Sequence, residues 1–276
     1  PHPQEYDYSP AWMDAGIIVP HTIYRAYGDK RMLEEHWDSM TRFMEFQRDA
    51  AGSDHLRPQA GQNYGDWVAL GYQTDKDFIA SAYYAYDVHL MAQMASALDK
   101  HEEAEKYNAL FDIIKKAFIG KYVKEDGSLI EDSQTAYGIT LAMNLLPDHH
   151  KQQGADRLAQ LLRKNGNRLN TGFLGVRHLL PELARYGHEK LAYGLLMETG
   201  YPSWGYEVVN GATSIWERWN SYTIENGFMD PEMNSFSHYS YGSVAEWMFS
   251  DVAGIDSLTP GYKHIEIKPL IKSAPF

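Results

Sequence analysis

The chain contains no cysteine among its 276 residues. Disulfide scaffolds, thiolate zinc sites and cysteine nucleophiles are therefore excluded. No apolar run approaches the length of about 20 residues that a membrane-spanning helix needs, and we expect no signal peptide within these residues. Positive charge is also scarce, with 25 Lys and Arg against 37 Asp and Glu and a net charge of -12. This balance argues against nucleic acid or an anionic membrane as a partner, because both attract clustered positive charge.

Several common catalytic motifs are missing as well. Residues 172–175 (GFLG) lack the Lys and Ser/Thr of a phosphate-binding loop, and no His-Glu-x-x-His pair occurs. The 12 histidines are scattered. Gly205 and Gly242 stand beside aromatic residues, and neither these glycines nor Gly211 forms the Gly-x-Ser-x-Gly pattern of an activated serine. Carboxylates and aromatic rings remain as the candidate chemistry, and the chain itself implies no metal and no organic cofactor.

Aromatic residues are plentiful, and one segment combines them with charge. Residues 211–220 (GATSIWERWN) place Glu217 and Arg218 between two tryptophans, in a chain with 7 Trp and 20 Tyr. Aromatic faces beside a carboxylate suit a sugar site, because the rings stack on C–H surfaces and the acid handles protons or hydroxyls. The alternative is a structural Glu–Arg pair in an aromatic core. On this segment alone both interpretations stay open.

The hydrophobic period predicts a helical protein. The expected helices cover residues 14–27, 30–50, 76–98, 102–119, 134–146, 151–164, 176–185, 189–198 and 243–252. Pro20 predicts a kink or a late start in the first of them. The alternating residues 264–268 predict a strand near the C-terminus. Short turns join the helices into hairpins, and long loops rich in aromatic residues separate the hairpins. This pattern predicts a helical toroid with its turns at one rim and its functional loops at the other.

Five motifs, in this order, carry a specific resemblance. They are residues 9–20 (SPAWMDAGIIVP), 65–67 (GDW), 201–206 (YPSWGY), 212–219 (ATSIWERW) and 233–242 (MNSFSHYSYG). Together they resemble the catalytic domain of bacterial α-L-rhamnosidases, glycoside hydrolase family 78, from about Ser9 to Pro269. Two positions depart from the family pattern: Met13 stands where a small residue is common, and Asn220 where Asp is frequent.

The resemblance implies an all-α fold, an (α/α)6 barrel that lacks its first helices and ends in a β-strand. We expect residues 1–255 to form the partial barrel and residues 256–276 to begin a C-terminal β-segment. The implied activity is removal of terminal α-L-rhamnose with inversion. An inverting glycosidase uses one carboxyl group as acid and another as base. Glu217 matches the family's base, and Arg218 beside it would favour its ionised form.

The family's acid lies upstream of residue 9, in an acidic, arginine-containing motif that Glu5 and Asp7 do not reproduce. We therefore expect the acid, and further N-terminal domains, in sequence before Pro1. The compartment is not indicated, because the native N-terminus is expected to lie upstream or to have been removed. The expected partner is a rhamnose-containing oligosaccharide or rhamnoside. Two alternatives remain: a catalytically silent sugar-binding fragment, and an α/α-barrel hydrolase of another glycoside.

The resemblance also implies a set of substrate-binding residues. Asp14 matches an acid that holds rhamnose hydroxyls, although its place before a helix also suits an N-cap. Trp67 matches an aromatic wall of the sugar subsite or, alternatively, anchors its loop. Asp66 binds a hydroxyl or caps the same loop. His238 matches a histidine that contacts the sugar, where a hydrogen-bonded core residue is the alternative. Trp204 is expected at the rim or in the subsite lining.

Overall fold

A computed structural model describes residues 9–58 and 64–271 of the chain. Nearly all of its regular structure is helical. The helices are α1 (Ala15–Tyr27), α2 (Arg31–Ala51), α3 (Lys76–Ala97), α4 (His101–Tyr122), α5 (Gln134–Ala142), α6 (Asp148–Lys164), α7 (Phe173–Arg185), α8 (Glu189–Met197), α9 (Trp204–Val209) and α10 (Val244–Trp247). Two short antiparallel hairpins complete the regular structure: β1 (Tyr222–Thr223) with β2 (Gly227–Phe228), and β3 (Ile255–Ser257) with β4 (Ile265–Ile267). None of the described helices is long and apolar enough to cross a membrane.

The helices form two layers around a common axis. In the inner layer α1 packs on α3, α3 on α5, α5 on α7, and α7 on α10. In the outer layer α2, α4, α6 and α8 each pack on the inner helix that precedes them. Burial follows this division: α3 and α5 are buried on almost every side, whereas α2 buries one stripe that includes Leu33, Trp37, Met40 and Met44. The expected helical toroid is confirmed.

The chain alternates between short turns and long loops in the way that the sequence predicts. Three to five residues join each inner helix to its outer partner, whereas the segments that lead from an outer helix to the next inner helix are longer. Side-chain caps begin several helices: Asp75 accepts the N–H of Phe78 at the start of α3, and Ser133 accepts that of Ala136 at the start of α5. The long loops therefore gather at the N-terminal ends of the inner helices.

The C-terminal hairpin packs on the first helix. The guanidinium of Arg25 donates to the carbonyl of Ser257 at 2.9 Å, and the carbonyl of Leu270 accepts the hydroxyl of Tyr193 at 2.8 Å. Gly28 has a φ of 70° and lies against Pro260 and Gly261, where a Cβ would come within 3.2 Å of the Pro260 carbonyl oxygen. The expected boundary between residues 255 and 256 falls inside β3, and it stays a prediction.

Three local differences separate the structure from the sequence-based elements. Pro20 lies inside a continuous α1 that starts at Ala15. The helix expected over residues 243–252 consists of a 3-10 turn (Ser240–Ser243), the one-turn α10 and a π-helical turn (Met248–Val252). The strand β4 lies where a strand is expected, but its partner β3, the hairpin of β1 and β2, and the helix α9 have no counterpart in the sequence-based assignment.

Candidate active site

Four segments meet at one rim of the toroid, and we call them the rim loops: residues 64–75, 165–172, 198–221, which includes the short helix α9, and 229–243. Main-chain hydrogen bonds connect them. Leu70 donates to the carbonyl of Asn170 at 2.9 Å, and His238 donates to that of Ile215 at 2.8 Å. The indole of Trp219 donates to the carbonyl of Thr171 at 2.8 Å. Segments far apart in the sequence thus become one continuous surface.

Glu217 lies in these rim loops, and a hydrogen bond holds one of its two carboxylate oxygens. Its carboxyl Oε2 accepts the N–H of Ser235 at 2.8 Å, and its own N–H donates to the carbonyl of Ser235 at the same distance. The residue is 9% exposed, and within the described part of the chain its Oε1 accepts no hydrogen bond. The carboxylate is therefore oriented but retains one oxygen for a ligand.

Arg218 does not pair with Glu217. Among the described residues no ion pair joins them, and the guanidinium Nε of Arg218 is buried without a hydrogen-bond partner. The N–H of Arg218 donates to the hydroxyl of Ser221 at 3.1 Å. The alternative of a structural Glu–Arg pair in an aromatic core therefore finds no support in the geometry.

The two tryptophans beside Glu217 form the frame of the site rather than its surface. Trp216 is buried and packs edge-on against Phe236, with ring centroids 5.4 Å apart. Trp219 is buried and stacks on Tyr241 with centroids 4.0 Å apart. In this arrangement neither ring offers a face to a sugar, in contrast to the sequence-based interpretation. Both hold the segment that carries the carboxylate.

Asp66 connects two rim loops through all of its acceptor positions. Oδ1 accepts the N–H groups of Leu174 and Gly175 at 2.8 and 3.1 Å. Oδ2 accepts the N–H of Gly172 at 2.8 Å and the hydroxyl of Thr135 at 2.5 Å. Burial raises the pKa of Asp66, and these four hydrogen bonds oppose the rise. The carboxylate is enclosed at the start of α7, so the geometry favours the capping role over a contact with a hydroxyl.

Trp67 is half-buried at the end of an aromatic row. Tyr64 packs edge-on against Trp67 with ring centroids 5.4 Å apart, and Trp12 lies 5.2 Å from Tyr64 on its other side. The carbonyl of Trp67 accepts the N–H of Phe173 at 3.1 Å. Gly172 allows this approach, because a Cβ there would lie 2.0 Å from the same carbonyl oxygen. The row is an apolar wall at the rim, suited to the C–H face of a sugar.

His238 lies in the rim loops, packed on an aromatic residue. Its ring centroid is 4.8 Å from that of Phe173, and its Nδ1 accepts the N–H of Ser240 at 3.3 Å. That bond favours the neutral tautomer with its proton on Nε2. His238 is therefore a hydrogen-bond donor at the same rim as Glu217.

Asp14 lies at the N-cap position of α1, but its carboxylate does not cap the helix. Its Oδ2 accepts the N–H of Ala11 at 2.5 Å, and the side chain is fully buried. The amide of Gln47 donates to Asp87 at 2.7 Å and lies 3.5 Å from Oδ1 of Asp14. Burial raises the pKa of Asp87 well above its usual range, and the neighbouring Asp14 raises it further. The two carboxyls form a buried pair behind the rim.

Trp204 is a core residue in this structure. Its side chain is 6% exposed, and its indole donates to the carbonyl of Tyr241 at 2.9 Å. It packs edge-on against Trp219 with centroids 5.4 Å apart. The expected place in the lining of a subsite is therefore not where its ring lies.

A cavity of about 570 Å³ opens between the inner helices next to His238. Phe173 and Tyr239, the two aromatic neighbours of His238, line it together with Trp12. Glu217 itself is not part of its lining. Among residues 9–58 and 64–271, no group of three or more His, Asp or Glu side chains is arranged to hold a metal ion.

Sequence reasoning missed two residues of this region. Phe173 packs on His238, but its segment, residues 172–175, indicates only that a phosphate-binding loop is absent. Glu207 lies three residues after Trp204 in the buried helix α9, and the YPSWGY motif ends one residue before it. A charged residue directly after an aromatic motif was the available signal for Glu207.

The fold and the rim define a class of protein: a helical toroid with a carboxylate, a histidine and an aromatic wall on its loops. Comparison with known families makes the assignment specific. The family model of the bacterial alpha-L-rhamnosidase 6 hairpin glycosidase domain matches residues 1–252. The chain belongs to this family.

Individual relatives agree. An alpha-L-rhamnosidase of Streptomyces avermitilis is 45% identical over 261 residues, which cover 94% of this chain and 25% of the relative. The crystal structure of a Streptomyces avermitilis alpha-L-rhamnosidase complexed with L-rhamnose superposes with a TM-score of 0.90 over 95% of this chain and 25% of its own. It is 44% identical to this chain. The native Aspergillus terreus enzyme gives a TM-score of 0.90 at 29% identity, covering 98% of this chain and 32% of its own. The chain thus spans a quarter to a third of these relatives.

Proposed function

We propose that this chain is the part of an α-L-rhamnosidase that supplies the general base and one wall of the sugar site. One observation carries the proposal. Glu217 is a mostly buried carboxylate with one oxygen fixed by Ser235 and the other unbonded among the described residues, at the rim shared by His238 and Trp67. That is the arrangement a water-activating base needs.

In the proposed reaction Glu217 takes a proton from a water molecule. The water oxygen attacks the anomeric carbon on the face opposite the glycosidic oxygen, and the configuration inverts. The C–O bond to the leaving group breaks, and a second carboxyl group protonates the departing oxygen. In such enzymes the two carboxyl groups are about 6.5–9.5 Å apart, which leaves room for the water. We expect the second group in sequence outside this chain.

The proposed sugar contacts divide into direct and supporting residues. The Nε2–H of His238 donates to a sugar hydroxyl, and the row of Trp12, Tyr64 and Trp67 faces the apolar side of the ring and its methyl group. Asp14 and Asp66 are enclosed, so they support the site from behind. The L-rhamnose bound to the Streptomyces avermitilis relative supports the choice of substrate.

The proposed partner within the polypeptide is further sequence of the same protein. The relatives are three to four times as long as the part that this chain matches, since the chain covers 25% and 32% of two of them. We propose that this additional sequence completes the helical layers and carries the acid.

The test uses the full-length protein that contains this chain, with an aryl α-L-rhamnoside and the matching aryl glucoside. We expect the rhamnoside to be hydrolysed, and Glu217→Gln to lower kcat by about 10²–10⁴-fold, the usual contribution of a general base. Glu225→Gln is the matched control. It makes the same substitution at an exposed glutamate between β1 and β2, and we expect it to leave kcat unchanged.

Each alternative corresponds to a different result. Hydrolysis of the glucoside in preference to the rhamnoside would indicate a hydrolase of another glycoside. L-Rhamnose binding without hydrolysis would indicate a silent sugar-binding protein. A Glu217→Gln variant as active as the Glu225→Gln control would remove Glu217 from the role of base.

A further inference from the structure

A second buried carboxyl group contacts the residue that precedes Glu217. Glu207 is on α9 and is 2% exposed. Its Oε2 accepts the N–H of Trp216 at 3.2 Å, and its Oε1 is buried with no hydrogen-bond partner among the described residues. Burial raises the pKa of Glu207 to about 7. A glutamate is a costly side chain to bury without a cation, which suggests a role beyond filling space.

Glu207 binds both ends of the loop that leads to Glu217. Its backbone carbonyl accepts the N–H of Ala212 at 3.0 Å, where the loop leaves α9. Its side chain accepts the N–H of Trp216, the residue immediately before Glu217. No other residue in the described chain bonds to the loop at both places. Glu207 therefore holds residue 212 through its backbone carbonyl and residue 216 through its side chain, while His238 bonds to Ile215 between them.

Glu217 is consequently held from two directions. Ser235 bonds to the backbone and to the carboxylate of Glu217, while Glu207 fixes the preceding peptide. Removing the second contact leaves the buried N–H of Trp216 unpaired, and an unpaired buried donor forces the local backbone to rearrange or to admit water. The Glu217 carboxylate would move with that peptide.

We propose that Glu207 is a positioning residue for the reaction: by holding the peptide of Trp216, it sets where the Glu217 carboxylate meets the attacking water. This inference rests on the proposed function of Glu217. A displacement of about 1 Å in a catalytic group costs about 10²-fold in rate, so a small rearrangement of this loop has a large effect on turnover. Binding of the sugar changes less than turnover, because the row of Trp12, Tyr64 and Trp67 belongs to other segments of the chain. Only the contact through His238, whose N–H bonds to the carbonyl of Ile215 in the same peptide, shares the displacement.

The chemistry of the contact predicts which substitutions are tolerated. The Trp216 N–H needs an acceptor at the distance that a glutamate side chain reaches. Near its pKa a neutral carboxyl group accepts through its carbonyl oxygen, and the amide of glutamine offers the same oxygen. Aspartate is one methylene shorter and falls short of the Trp216 N–H, while methionine fills the space without a comparable acceptor.

The experiment measures kcat and KM of the full-length protein on an aryl α-L-rhamnoside for Glu207→Gln, Glu207→Asp and Glu207→Met. We expect Glu207→Met and Glu207→Asp to lower kcat by about 10- to 100-fold with KM within about threefold of the original. Glu207→Gln should restore most of the rate. If Glu207→Met does not fold, Glu207→Asp gives the same comparison, because it keeps the buried carboxyl group and removes only its reach.

The control is Glu182→Met. Like Glu207, Glu182 is 2% exposed, burial raises its pKa, and one of its oxygens is buried without a partner in the described structure. Unlike Glu207, it lies on α7 and forms an ion pair with Arg185. We expect this variant to change the thermal midpoint and not kcat. Equal kcat values for the Met and Asp variants and the unmodified protein would overturn the inference, and so would a Gln variant as slow as the Met variant.

Glu217→Gln, measured in parallel, separates the inference from the proposed function. If Glu217→Gln keeps full activity, the role of Glu217 as base fails, and the Glu207 inference fails with it. If Glu217→Gln is slow while the Met and Asp variants of Glu207 keep their kcat, only the positioning role is refuted.

Discussion

Replacing Asp66 with asparagine tests the connection between the loop of residues 64–75 and the start of α7. The carboxylate accepts four hydrogen bonds, one from the hydroxyl of Thr135 and three from the N–H groups of Gly172, Leu174 and Gly175. Asparagine preserves the shape of the side chain, but it has one acceptor oxygen and one donor nitrogen. At least one backbone N–H must therefore face a donor.

The least costly arrangement places the new amide nitrogen at the position of Oδ2. The Thr135 hydroxyl then rotates to accept from it, and only the Gly172 N–H loses its partner. One buried unpaired donor costs about 1–3 kcal/mol, and the two bonds that remain each lose about 1 kcal/mol when the acceptor is no longer charged. Removing a buried charge, whose burial raises the pKa of Asp66, offsets part of this loss. We expect Asp66→Asn to lower the free energy of unfolding by about 2–4 kcal/mol.

Urea unfolding followed by circular dichroism at neutral pH measures this change. Thr135→Val is the graded comparison, because it removes one hydrogen bond to the same carboxylate and should cost about 1–2 kcal/mol. An Asp66→Asn variant within about 0.5 kcal/mol of the unmodified protein, the range of ordinary surface substitutions, would refute this account of the contact. So would a Thr135→Val variant that costs more than Asp66→Asn.

Two further predictions concern the sugar wall and the buried carboxyl pair. His238→Ala should weaken L-rhamnose binding by about tenfold, because one hydrogen bond is lost, and should also slow turnover. If calorimetry shows an unchanged affinity for L-rhamnose, the role of His238 is restricted to packing on Phe173. The folded-state pKa of Asp87 lies above the unfolded value, so the native state holds a proton that the unfolded chain releases, and stability falls as pH rises from about 4 towards the folded-state pKa. Asp87→Asn keeps an acceptor for Gln47 and should remove this pH dependence, which reaches about 1.4 kcal/mol of unfolding free energy per pH unit. An unfolding free energy that changes equally between pH 5 and pH 7 in both proteins would contradict this prediction.

The helical frame is predictable because it is a local property of the sequence. In α2 the buried Leu33, Trp37, Met40 and Met44 repeat at three- and four-residue intervals, which marks one face of a helix. The last helical segment is harder to predict. Over residues 240–252 the 3-10, α and π turns differ by one residue in their hydrogen bonds, and a hydrophobic period over so few residues does not distinguish them.

The order of the motifs predicts Glu217, His238 and Trp67 as residues of the site, and their roles stay predictions. What the neighbouring residues do depends on their burial, which the motifs do not reveal. The carboxylate of Asp66 accepts the N–H of Gly172, which lies 106 positions further along the chain, and no local pattern reveals such a partner. The sequence likewise predicts Trp204 at the rim or in the subsite lining, whereas its ring lies in the core.

The identity of Glu217 as the base of an inverting rhamnosidase is tested most directly by azide rescue. In the full-length protein, Glu217→Ala removes the base and leaves a small space opposite the leaving group. With a dinitrophenyl α-L-rhamnoside, whose leaving group departs without protonation, azide attacks the anomeric carbon from that space as dinitrophenolate is released. The account predicts a slow variant whose rate recovers with azide and whose product, identified by proton NMR, is β-L-rhamnosyl azide. An α-configured azide, or a Glu217→Ala variant that hydrolyses the substrate at the original rate without azide, would contradict it.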